Sequence, residues 1–273
     1  YSWNHREPMD CPAVMQDLGL NAIALRVLVN PHDGYCAMDD VLRKARRVHQ
    51  LGLDLLVSLH FSDTIASSNL QRTPQEWQDH SMEMLAEDVR SHTASVLQAL
   101  TEEGIKPRWI QIGNQLDNGL LWPAGYLIRY PTQYATLVSS ACRSARTICP
   151  KAQIIVAAGN PLHQPSLCAA LDGLRTTDYD QIGLVLYPTQ SVGSSFQLLN
   201  TAISYGIENE NDAIAYTMQT IDMLFNKYKK HCMIVECGVP VSQEIAGSMH
   251  MRQLVKEARA NTTCRGVIYH EPE

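Results

Sequence analysis

The chain has 273 residues, a formal net charge of -6 at pH 7, 45% hydrophobic and 18% charged residues. That apolar fraction fills a sizeable core and excludes global disorder. The acidic balance argues against a nucleic-acid or anionic-membrane binder, since the nearest basic run, Arg43-Lys44-Ala45-Arg46-Arg47, reads as the solvated face of a helix. No apolar run approaches the ~18 residues of a membrane span. Tyr1-Ser2-Trp3 opens no signal peptide, and because a targeting segment can be removed, the compartment stays open. The 8 cysteines form no CxxC pair, so no structural zinc is expected, and Cys232 and Cys237 read as buried hydrophobes.

Short apolar runs alternate with longer amphipathic stretches from end to end. The runs Ala22–Val29, Asp54–Leu59, Trp109–Ile112, Ile154–Ala158, Ile182–Leu186, Met233–Val235 and Gly266–Tyr269 are nearly continuous in Ile, Leu and Val. That pattern suits parallel strands buried on both faces. Between them Met38–Leu51, Met82–Glu103, Gln133–Ile148, Ile214–Lys230 and Met249–Ala260 read as helices. Gly52 and Gly104 stand where left-handed C-terminal caps belong. Repeated strand–helix alternation predicts an α/β fold with right-handed crossovers.

An open dinucleotide-binding sheet would carry GxGxxG after its first strand, and neither that motif nor a GxxxxGK[ST] phosphate loop is present. Polar residues instead follow the C-terminal ends of many different strands: Asn30, His60 to Asp63, Asn114-Gln115, Asn160, Tyr187, Glu236 and His270-Glu271. Such convergence is the arrangement of a (β/α)8 TIM barrel. The expectation is one barrel domain over residues 1–273, incomplete at its N- and C-terminal edges. Tyr1–Asn4 would be a remnant of the first strand, and the last strand runs almost straight into Glu273 without a closing helix.

Two strand ends could carry chemistry: Trp109 to Gln115, and Met233 to Glu236. In a retaining glycosidase barrel these two places hold paired carboxylates, one protonating the leaving oxygen and one attacking the anomeric carbon. Here Glu236 occupies the nucleophile-like position, Asn114 the residue before the acid/base, and Gln115 the acid/base position itself.

Over nearly its whole length the sequence resembles glycoside hydrolase family 53, the arabinogalactan endo-β-1,4-galactanases. The resemblance runs in order through Asn21 to Pro31, Gly34-Tyr35-Cys36 with Asp39 to Leu42, and His60 to Thr64. It continues through Gln111 to Gly119 with Leu121-Trp122-Pro123, then Asp178 to Asp180 with Tyr187-Pro188, Val235-Glu236, and Tyr269 to Pro272. It implies a galactan or arabinogalactan substrate, an oligo- or polysaccharide partner, no cofactor and an extracytoplasmic setting. Glu236 and Gln115 become the catalytic positions. Asn114, Arg26, His60, Asp63, Tyr187, Trp122, Asp117, Asn118 and His270 become substrate-binding ones.

The departures bear on activity. The family pattern has Glu where Gln115 stands. Leu28, Ile65 and His270 occupy places of tryptophans, Ser58 that of an aspartate, and Ala24 that of one arginine of a pair whose other member is Arg26. The loops after strands seven and eight look short, with no family-like calcium loop. Plainer readings stand beside these: His60 as a core histidine, Tyr187 as ring packing, Arg26 as a structural ion-pair partner, and Trp122 as a loop anchor. Three classes compete: a galactanase-like hydrolase impaired by Gln115, a non-catalytic carbohydrate-binding pseudoenzyme, and a metal-dependent barrel using His60, Glu236, His270 and Glu271. The first is expected, the second is its alternative, and no metal site is expected.

Overall fold

The computed structural model of the chain describes residues 8–187, 207–239 and 244–270. Seven strands form one parallel sheet in chain order: β1 (Ala22–Val27), β2 (Asp54–Leu59), β3 (Trp109–Ile112), β6 (Gln153–Gly159), β7 (Gln181–Leu186), β8 (His231–Cys237) and β9 (Cys264–Tyr269). Two further strands, β4 (Gly119–Leu120) and β5 (Gly125–Tyr126), make a small antiparallel hairpin outside it. Among the described residues the α-helices are α1 (Cys11–Asp17), α2 (Met38–Gln50), α3 (Met82–Glu102), α4 (Pro131–Ile148), α5 (Gln164–Asp172), α6 (Glu210–Tyr228) and α7 (Glu244–Ala260).

All seven expected strands are present, and each expected helix is found with shifted ends. Helix α6 starts at Glu210 rather than Ile214. Asn209 accepts the backbone N–H of Asp212 at 3.1 Å, while the Asp212 carboxylate accepts that of Asn209 at 3.2 Å, a reciprocal cap that defines the first turn. Gly52 and Gly104 adopt φ of 68° and 75°, as left-handed caps require. The basic run lies on α2, with Ala45 buried while Arg43, Arg46 and Arg47 pair with Asp40, Glu103 and Asp10. Cys232 and Cys237 are buried, and burial pushes the Cys237 thiol up to about 12.

Strand order equal to chain order, with helices between neighbours, curls the sheet round on itself. Its two edge strands, β1 and β9, approach closely enough for Arg26 Nη2 to lie 3.4 Å from His270 Nδ1. The fold is a (β/α)8-type barrel that is partly incomplete: β1 and β9 are not hydrogen-bonded neighbours. Most of β1 is accordingly half-exposed, whereas β7 is buried throughout. Tyr1–Asn4 and Glu271 lie outside the described residues.

Alternation along the strands creates two cores. Leu56, Ile155, Ala157, Val185, Met233 and Val235, with Ala24, Trp109 and Ile268 beside them, fill the barrel interior. Their neighbours Leu55, Val57, Ile110, Ile154, Val156, Ile182, Leu184 and Ile234 face outward into the helix layer. The interior is tight: a Cβ on Gly183 would lie 3.0 Å from Ala157 Cα and from Ile155 Cγ2.

Candidate active site

Polar residues stand two or, for His60, four residues further along the strands, on the same face as the interior apolar layer. Arg26 follows Ala24, Ser58 and His60 follow Leu56, Gln111 follows Trp109, Tyr187 follows Val185, and His270 follows Ile268. The period of two therefore aims all six inward at the C-terminal mouth.

Glu236 breaks that period. With Val235 facing the interior, simple alternation would turn Glu236 toward the helices. Between β7 and β8, however, Leu184 pairs with Ile234 and the next residue, Val185, pairs with Glu236. One extra residue in β8 is a bulge, and bulges re-aim side chains in this way. Glu236 thus joins Arg26, Ser58, His60, Gln111 and His270 around a cavity of about 370 Å³, which continues along the β1–β9 seam past Ile23 and Val267 to Leu20.

The Glu236 carboxylate has two donors of fixed position. Tyr187 Oη donates to Oε1 at 2.6 Å and Asn114 Nδ2 donates to Oε2 at 3.4 Å. Burial, then the Glu236 charge, raises the Tyr187 phenol, so it remains a proton donor. Its ring packs edge-on to His270 with centroids 6.2 Å apart. Asn114 is 1% exposed and also donates to Ala66 O at 3.1 Å, while Gln111 Nε2 lies 3.4 Å from its Oδ1. His60 is buried, and its Nδ1 accepts the Ala66 N–H at 3.1 Å, which leaves the ring proton on Nε2. Burial, and then the nearby Arg26 and His270, lower it to about 3, so it is a neutral donor. Among the described residues Ser58 Oγ is buried without a hydrogen-bond partner, and Ser58 lines the cavity.

Gln115 sits in a left-handed conformation, φ 49° and ψ 59°, rare for a residue with a Cβ. The turn around it is imposed by packing and by one side chain. Gly113 has φ 67°, and the Leu116 side chain occupies the place of its missing Cβ. Gln71, 2% exposed, donates through Nε2 to Ser67 O at 3.1 Å, Asn114 O at 2.7 Å and Gln115 O at 3.1 Å. Gln71→Met keeps the volume but takes the donor from the buried Asn114 O and the part-buried Gln115 O, while Ser67 O keeps the Leu70 N–H at 2.9 Å; one buried acceptor left unpaired costs about 1–3 kcal/mol. Urea unfolding should show a loss in that range; a change within about 0.5 kcal/mol would mean the turn stands without Gln71.

The remaining expected residues, Asp63, Asp117, Asn118 and Trp122, are not among those that line the cavity. Asp63 accepts the backbone N–H groups of Asn30 at 3.1 Å and Gln75 at 2.8 Å, which ties two loops together. Asn118 Nδ2 donates to Ser68 O at 2.9 Å. Trp122 Nε1 donates to Asn118 O at 3.0 Å, and the indole packs edge-on to Tyr126. Asp117 is buried and bonded to Ser68 Oγ at 2.7 Å. Ser68 and Gln71 were not anticipated, because both lie in an aperiodic loop whose polar residues look alike. Among the described residues no group of three His, Cys, Asp or Glu side chains could hold a metal ion; Glu271 lies outside them.

A curled parallel sheet with one polar mouth places this chain among the (β/α)8-barrel proteins. The model of Glycosyl hydrolase family 53 matches residues 1–273, and the chain belongs to that family. It is 29% identical over 238 residues to "Probable arabinogalactan endo-beta-1,4-galactanase A" of Neosartorya fischeri, covering 84% of this chain and 62% of that protein. Arabinogalactan endo-beta-1,4-galactanase A of Aspergillus niger is 28% identical over 236 residues, with the same 84% and 62% coverage. The chain thus spans about 62% of the length of these relatives. Among solved structures, a fungal beta-1,4-galactanase superposes with TM-score 0.81 at 22% identity, over 96% of this chain and 80% of that one. The GH53 catalytic domain of Ignisphaera aggregans gives TM-score 0.80 at 21% identity, over 96% and 76%.

Proposed function

We propose that residues 1–273 form one galactanase-like barrel unit that binds β-linked galactan or arabinogalactan-type glycans and hydrolyses them poorly. What supports this reading is a carboxylate held on both oxygens, Glu236, together with a carboxamide, Gln115, next in the chain to Asn114, which bonds Glu236. Tyr187 and Asn114 fix both oxygens of Glu236. In a retaining mechanism such a carboxylate attacks the anomeric carbon while a second group protonates the departing oxygen. A carboxamide has no proton to release near neutral pH, and general acid catalysis is worth ~10²–10⁴-fold. His60 Nε2–H, Arg26 and His270 supply donors for sugar hydroxyls around the same cavity. Asp63, Asn118 and Trp122 act one step removed, by holding the loops that frame it.

Calorimetry with β-1,4-galacto-oligosaccharides, beside a reducing-sugar assay on the same sugars, tests this. Weak binding with slow turnover is expected, because Leu28, Ile65 and His270 offer little stacking surface. No binding to any β-galactan or arabinogalactan fragment would sink the substrate assignment. Brisk hydrolysis by the unmodified chain would show that another group supplies the proton. Binding with no hydrolysis at all would favour the carbohydrate-binding pseudoenzyme.

A further inference from the structure

Gln115 is held by its side chain as well as its backbone. Its Oε1 accepts the Ser68 backbone N–H at 3.2 Å and faces the Ser68 hydroxyl at 3.0 Å. A backbone N–H can only donate, so the carboxamide oxygen must lie on the Ser68 side and the amino group on the other. Among the described residues no acceptor takes Gln115 Nε2, and Gln115 is half-buried.

Behind this contact stands Asp117. The same Ser68 hydroxyl lies 2.7 Å from Asp117 Oδ1. The Asp117 carboxyl is wedged against Gly159, where a Cβ would come within 2.9 Å of Asp117 Cγ. One hydroxyl proton faces two acceptors, so the protonation state of Asp117 decides its direction. A neutral Asp117 donates to Ser68 Oγ, which then directs its own O–H as a hydrogen-bond donor to Gln115 Oε1. An ionised Asp117 draws the Ser68 proton to itself and leaves Oε1 with the backbone N–H alone.

We propose that Ser68 and Asp117 are positioning residues that lock the Gln115 carboxamide with Nε2 turned to the cleft. There Nε2 donates a hydrogen bond to the linking oxygen of a bound β-glycan, holding the linkage without protonating it. The identity of the ligand rests on the proposed function; the lock itself does not.

Asp117 titrates in an accessible range, because burial pushes its carboxyl up to about 6 against the opposing pull of the Ser68 hydrogen bond. The surroundings contain few competing charges. The 3-10 turn Leu116–Asn118 packs on β6, which has no titratable side chain, and on α5, which carries Cys168 and Asp172. Asp172 is engaged by Arg175, Lys227 and Tyr228. From α4, Tyr134 feels the Asp117 charge, and burial keeps its phenol protonated. In the Ser68 loop, Asp63 bonds Asn30 and Gln75, and Glu76 bonds Asn30.

The side-chain amide signals of Gln115, assigned by their loss in Gln115→Glu, should be followed by ¹⁵N NMR from about pH 4.5 to 8 in ligand-free protein. A single step near pH 6 is expected in the wild type and none in Asp117→Asn or Ser68→Ala. Calorimetry with β-1,4-galactotetraose should show a 2–10-fold fall in affinity across the same step, the worth of one hydrogen bond. Ser68→Ala should bind at the weaker level at every pH. No step in the wild type, or an unchanged step in Ser68→Ala, would overturn the lock; Asp117→Asn keeps that decision available if Ser68→Ala folds poorly. A step without any glycan binding would uphold the lock and overturn the ligand reading.

Discussion

Gln115→Glu is expected to raise hydrolysis of natural β-1,4-galactan by up to ~10²–10⁴-fold, the usual worth of a positioned general acid. The backbone already presents position 115 in a fixed left-handed turn, with Gln71 bonded to its carbonyl and to that of Asn114. A carboxyl group placed there inherits that geometry. It also inherits the Ser68 N–H and hydroxyl, both of which favour the ionised form and pull its pKa down. A general acid works in its protonated state, so the gain should be largest on the acid side and fade as pH rises through the carboxyl's titration. On the proposed reading Ala24, Leu28, Ser58, Ile65 and His270 would change how a sugar sits, so the rescue should fall short of the upper bound. Reducing-sugar release measured from about pH 4 to 8 checks both points. A variant no faster than the parent at any pH would mean that Gln115 is not what limits turnover.

The barrel was legible because its signals are local and repeated. Seven continuous apolar runs, each separated by an amphipathic stretch, have few alternatives to a parallel sheet, and every one of them appears as a strand. Period two then extends to the site: knowing that Ala24, Leu56 and Ile268 face inward is enough to place Arg26, Ser58, His60 and His270. Glu236 shows where such counting fails. Its inward aim depends on a bulge in β8, which is a property of the pairing between β7 and β8 and leaves no mark on either strand alone. The supports of Gln115 were hidden for a different reason. Ser68 and Gln71 act through contacts 43 to 47 residues away in the chain, within a loop that has no periodicity to read. Helices α1 and α5 escaped because seven and nine residues are too few to show a clear amphipathic period.

On the proposed reading, a carboxamide at position 115 separates two halves of the chemistry that normally run together. An aryl β-galactoside with a good leaving group should release its phenol in a burst, because forming the glycosyl–Glu236 ester needs no acid when the leaving group departs as its own anion. Bond formation to the anomeric carbon accompanies loss of the phenolate, and the intermediate then waits for water. Water is slow to attack, since the residue that would remove its proton is the same Gln115. Azide, already anionic, needs no general base, and it should speed turnover and yield β-galactosyl azide, the product of two inversions at one carbon. Glu236→Gln leaves the Tyr187 and Asn114 contacts a similar shape to occupy but removes the negative charge that attacks, so burst and azide product should both vanish. Stopped-flow phenolate release and product analysis by NMR read these outcomes directly. A burst that survives Glu236→Gln would place the nucleophile elsewhere in the cleft. An unmodified chain that shows neither burst nor azide product, while still binding galactan, would mean that Glu236 grips the sugar rather than attacking it.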